Sequence, residues 1–150
     1  MKRPVPFHPA PEPGDILWCR FPEVEGIRPG PKPRPCIASW ISDAPEAGQP
    51  FRVRVLYGTS SFRGPPRSPE FDISPDEHPA AYLQAGLSKA TRFDLVKAVV
   101  VNYDDMYFSL APNGNRAPGP TPRLGGLHPS RYRALLEAHR AVGTKGSRGY

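Results

Sequence analysis

The sequence predicts a mainly β fold with one C-terminal helix, a small barrel or a curled sheet. Three observations lead there. Trp, Tyr, Phe, Val, Ile and Leu recur in short compact runs, which a disordered chain would lack. The 22 prolines and 14 glycines gather mostly between those runs and give long, stiff loops. A stretch with helical spacing and a cap comes only near the end. The 150 residues suit a single domain, since domains commonly run about 100–150 residues. We divide them into a Pro-rich arm (1–13), one domain (14–143) and a frayed tail (144–150).

The arm is expected to be poorly ordered. After it, GDILWCRF (Gly14 to Phe21) opens with a turn pair and continues with β-favouring residues, giving the first strand. The loop PEVEGIRPGPKP leads to a second strand, RPCIASWI, with Pro35 at its beginning because proline cannot donate to a ladder. FRVRVLY alternates Phe51, Val53, Val55 and Tyr57 with Arg52, Arg54 and Leu56, which predicts one apolar and one mostly basic face. That strand stops at the turn GTSS. EFDIS is a short strand, Ala80 to Gln84 a brief helical turn, and TRFDL with KAVVVNYD either two strands or one bent run. Residues 110–128 read as loop. SRYRALLEAHRAV is an amphipathic helix capped by Ser130, with Tyr132, Leu135, Leu136 and Val142 on one stripe and Gly143 past its end.

The formal charge of +6 and a pI near 9.6 favour polyanionic partners, because clustered positive charge attracts phosphates. The N-terminus has no apolar h-region and no long apolar run occurs, so export and membrane insertion are unsupported and a cytoplasmic location is expected. Cys19 and Cys36 have no ligand-like spacing and read as reduced core thiols. The four histidines form no metal-binding pattern. Walker A, G-x-G-x-x-G and G-x-S-x-G motifs are absent, which removes support for ATP chemistry, dinucleotide binding and hydrolase triads.

Three small clusters have chemical potential. In TRFDL, alternation sends Arg92 and Asp94 to one polar face. They could be an ordinary surface ion pair. Thr59 and Ser60 can donate to a phosphate or bond their own turn. Arg34 stands at a strand's mouth after RPGPKP, a segment that composition alone would also allow as a polyproline ligand.

In order, GDILW, RPCIAS, YGTSS and RFDL resemble the PemK/MazF family of toxins from bacterial toxin–antitoxin modules, of which Kid is a member. The resemblance covers residues 14–104. It implies an SH3-like small barrel (CcdB/Kid/MazF-like), usually a homodimer, with a cognate antitoxin protein as partner. It also implies a metal-independent endoribonuclease that cuts single-stranded RNA without a cofactor. By position, Arg34, Thr59, Arg92 and Asp94 become catalytic, and Ser60, Arg28 and Lys32 substrate-binding. Attack by a ribose 2′-OH on its own 3′-phosphate needs a base, the role of Asp94. The pentacoordinate phosphate needs its charge stabilised, which suits Arg34, Arg92 and the Thr59 hydroxyl. Where Kid has a histidine in the first loop, this chain has EGIRPGPK, with Ile27 near the matching place. That departure sustains a second expectation, a catalytically silent barrel that binds nucleic acid or a protein.

Overall fold

The computed structural model describes residues 3–23 and 28–144. Six strands form one sheet: β1 (Asp15–Cys19), β2 (Arg34–Ile41), β3 (Arg52–Thr59), β4 (Glu70–Ile73), β5 (Thr91–Asn102) and β6 (Arg123–Gly126). Their order is β4-β5-β3-β2-β1-β6, every pairing is antiparallel, and the sheet curls into a half-barrel. Helix α1 (Pro79–Ala85) links β4 to β5, and a 3-10 turn (Pro129–Arg131) leads into the C-terminal helix α2 (Tyr132–Thr144). The expected mainly β architecture with a late helix is therefore present. Among the described residues, no helix is long and apolar enough to cross a membrane.

The sheet is apolar on both faces, and each face has its own cover. Ile16, Ile37, Leu56, Ile73 and Phe93 pack with α1 and α2, where Ala81, Ala85, Ala138 and Val142 complete the core. Leu17, Cys36, Val53, Val55 and Val101 pack on the other side with Tyr103, Tyr107 and Phe108. Leu56 thus belongs to the helix-covered core, and the opposite face of FRVRVLY is not simply basic. Cys19 and Cys36 lie buried as free thiols. Burial first, then the Cys36 hydrogen bond, push the Cys19 thiol up, away from the reactive thiolate.

Several expectations are corrected. The arm folds back onto the sheet: Phe7 N–H donates to the Tyr103 carbonyl at 3.0 Å, and the two rings lie 5.6 Å apart. Strand β3 continues through Gly58 to Thr59, so GTSS is not wholly a turn. Of the two alternatives for TRFDL and KAVVVNYD, the one bent run is present: together they form β5, with an irregularity opposite the Leu56/Tyr57 junction. Residues 110–128 contain β6, hidden by its paired glycines; a Cβ on Gly125 would strike the α1 backbone at Gln84 and Ala85. Ser130 lies inside the 3-10 turn that precedes α2, and the cap of that turn is the His128 ring, which accepts from Ser130 N–H. On α2, Tyr132 and Leu136 are 50% and 54% exposed, and the buried stripe runs through Ala138 and Val142 with Leu135 partly buried. The expected frayed tail lies outside the described residues from 145 onward.

At the β4–α1 junction, His78 Nδ1 accepts from Ser74 N–H at 3.1 Å. Burial, reinforced by the Arg131 charge, pulls His78 below its ordinary value of 6.5. The unfolded chain then takes up a proton more readily than the folded one, so this contribution is full above pH 6.5 and fades as pH falls below it. Melting temperatures followed between about pH 8 and pH 5 should fall more steeply for the wild type than for His78→Asn, whose amide oxygen can accept the same N–H.

Candidate functional site

Strand alternation builds one end of the sheet as two transverse polar rows. Thr59 of β3 faces Arg92 of β5, which faces Asp72 of β4. Two residues along, Tyr57 faces Asp94, which faces Glu70. Directly opposed residues point to the same side of a sheet, so all six side chains share one face. Between the rows, Gly58, Phe93 and Phe71 oppose one another and point the other way. Phe71 and Phe93 stack at 5.5 Å in the helix-covered core. Gly58 has no side chain because a Cβ there would press on the Pro35 carbonyl oxygen and the Phe93 ring.

The polar rows line a cleft of about 310 Å³ that includes Arg34, Thr59, Arg92 and Asp94. All four residues assigned to catalysis from the sequence are therefore neighbours in space. A second cleft, about 320 Å³, shares Arg34 and Thr59 and adds Lys32, Lys89, Ser60, Ser88 and Trp18. Its lining has three cations and no carboxylate. Lys32 and Ser60 thus border the site, whereas Arg28 is exposed and lines neither cleft. Beyond Phe62 lies a larger cleft of about 830 Å³, with His78 and Arg131 among its walls.

Each of the four side chains assigned to catalysis already has partners. Arg92 is only 5% exposed and grips Asp72 with both arms of its fork, Nε to Oδ1 at 2.7 Å and Nη2 to Oδ2 at 2.9 Å. It also donates to the Arg63 and Gly64 carbonyls and lies 4.4 Å from the Phe62 ring centroid. The Asp72 hydrogen bond raises the affinity of Arg92 for its proton further. The partner of Arg92 is thus Asp72, not Asp94, and its fork holds the 62–64 loop. Asp94 Oδ1 accepts from Val96 N–H at 3.0 Å. Thr59 Oγ1 accepts from Ser61 N–H at 3.0 Å, bonding its own turn. Arg34 Nη2 pairs with Glu23 at 2.7 Å, while its buried Nε has no partner among the described residues. Ile27, the place where the family pattern would put a histidine, lies outside the described residues.

Sequence reasoning missed five residues here. Glu70 and Asp72 were legible from the alternation of EFDIS, which puts both carboxylates on one face. Glu23 and Tyr57 reach Arg34 through long-range contacts that no local pattern marks. Lys97 enters because β5 bulges: Leu56 pairs with Ala98 but Tyr57 with Asp94, so Leu95, Val96 and Lys97 have no β3 partners. The bulge brings Lys97 Nζ to 4.8 Å from the Tyr57 ring centroid, and Arg34 lies 5.4 Å from the same centroid. Among the described residues, no three His, Cys, Asp or Glu side chains cluster as metal ligands would. No protein-family model matches the chain, and no curated protein matches its sequence.

The saturation of Arg92 has a measurable consequence. Arg92→Ala leaves Asp72 largely buried without its counter-charge and should cost about 3 kcal/mol in urea unfolding. Arg92→Lys should recover only part of that loss, since an ammonium cannot reproduce the two-armed contact. Full recovery by lysine would show that charge alone holds the loop.

Proposed function

We propose that this chain is a PemK/MazF-like endoribonuclease, a growth inhibitor of a type II toxin–antitoxin module that cuts single-stranded RNA without a metal. The observation that carries this reading is the convergence of Arg34, Thr59, Arg92 and Asp94 on one cleft. The adjoining carboxylate-free cleft supports it, since Lys32 and Lys89 can follow a phosphate backbone and Trp18 offers a face for base stacking. In this reading Asp94 takes the 2′-OH proton. Arg34, whose Nε–H has no partner among the described residues, and the Thr59 hydroxyl stabilise the phosphorane. Arg92 adds its charge and keeps Asp72 and the 62–64 loop in place. An SH3-like barrel, a homodimer, a cognate antitoxin protein and a cytoplasmic location accompany the reading.

A long single-stranded RNA incubated with the protein in EDTA should yield 2′,3′-cyclic phosphate ends. Asp94→Asn retains an acceptor for Val96 N–H and should slow cleavage by about 10²–10⁴-fold with little change in melting temperature. RNA left intact by the wild type at high enzyme concentration defeats the nuclease assignment.

A second reading is a silent barrel that binds nucleic acid. It is favoured by the neutralisation of two cleft arginines, Arg34 by Glu23 and Arg92 by Asp72. It predicts binding without turnover, with affinity falling on a log–log salt plot by about 0.7 for each phosphate contacted. Lys89→Ala should make that slope shallower by about the same amount. A slope that does not change removes Lys89 from the binding track.

A further inference from the structure

Cleavage by 2′-OH attack requires a proton for the departing 5′-oxygen, and the cleft has few groups able to give one. The described histidines line other parts of the molecule: His78 borders the larger cleft, His139 lies along α2, His128 caps the 3-10 turn and His8 lies against Phe51. Arginine releases a proton too reluctantly, with a pKa above about 12. Lys97 differs from the cleft's two arginines. Its ammonium makes no ion pair among the described residues, while Arg34 and Arg92 each hold a carboxylate. It lines the same cleft as Asp94 and stands over Tyr57, the residue directly opposite Asp94 across the β3–β5 ladder.

Resting on the nuclease reading above, we propose that Lys97 is the general acid that protonates the leaving 5′-oxygen. The bonds balance as follows. The 2′-oxygen forms a bond to phosphorus as its proton passes to the Asp94 carboxylate. The phosphorus–O5′ bond breaks, and O5′ takes its proton from the Lys97 ammonium. The products are a 2′,3′-cyclic phosphate and a 5′-hydroxyl, and water returns the two protein groups to their starting protonation states. The three-residue bulge is what makes this division possible. Asp94 ends the regular pairing and fastens the bulge through Val96 N–H, and the bulge sets Lys97 over the Tyr57 ring in the cleft that Asp94 also lines.

An oligoribonucleotide with sulfur in place of the bridging 5′-oxygen isolates the step, because a thiolate leaves without protonation. Lys97 is exposed, so its replacement should leave the fold intact. Lys97→Met should cleave the ordinary RNA about 10²–10⁴-fold more slowly yet cleave the sulfur-bridged RNA at close to the wild-type rate. Lys97→Arg, which keeps the charge but not a readily given proton, should show the same pattern. Equal losses on both substrates, an active Lys97→Arg on ordinary RNA, or sulfur rescue in Tyr57→Phe instead would each overturn the assignment to Lys97. A wild type that leaves both RNAs intact would instead overturn the nuclease reading itself.

Discussion

The Arg92–Asp72 pair is the contact on which the cleft end of the molecule depends. Through its side chain Asp72 is tied to Arg92 on the neighbouring strand, and through its carbonyl it accepts from Arg131 at 2.9 Å, just before α2. Arg92 in turn fixes the 62–64 loop by its carbonyls and by stacking on Phe62. One buried guanidinium therefore couples an edge strand, a proline-rich loop and the entry to the C-terminal helix. A buried charge is tolerable in such a place only because every arm of the fork finds an acceptor.

That coupling changes what the assigned residues do. Alternation along TRFDL located Arg92 and Asp94 on one polar face, and the register of β3 with β5, which carries the strand through to Thr59, brings Thr59 opposite Arg92 across the ladder. Their partners were not legible, because they come from a loop and an edge strand distant in sequence. Asp72 competes with any phosphate for Arg92, and Glu23 does so for Arg34. The cleft keeps a cation without a carboxylate partner among the described residues only where β5 leaves regular pairing, at Lys97.

Fold legibility followed the same physics. RPCIASWI was readable to the residue as β2, since β-favouring residues follow a proline confined to the strand's start. RLGG was not, because Gly125 answers to the close approach of α1 rather than to strand propensity. Half-exposed Tyr132 and Leu136 misled the helix stripe for a related reason: spacing shows which residues share a side, while the neighbouring sheet decides how wide a stripe it covers. The arm seemed unsupported until Tyr103 and Asp105, far along the chain, supplied its hydrogen-bond partners.

The sheet order also separates early from late events in folding. Every strand residue lining the 310 Å³ cleft lies between Arg34 and Lys97, on strands complete by Asn102. The β1–β6 seam, by contrast, joins Asp15 to Gly126 and must close a far longer loop. Loop closure and contact order place that seam last. During synthesis the polar rows are then expected to take shape while β6 is still inside the ribosome, so the cleft would exist before the half-barrel around it is finished.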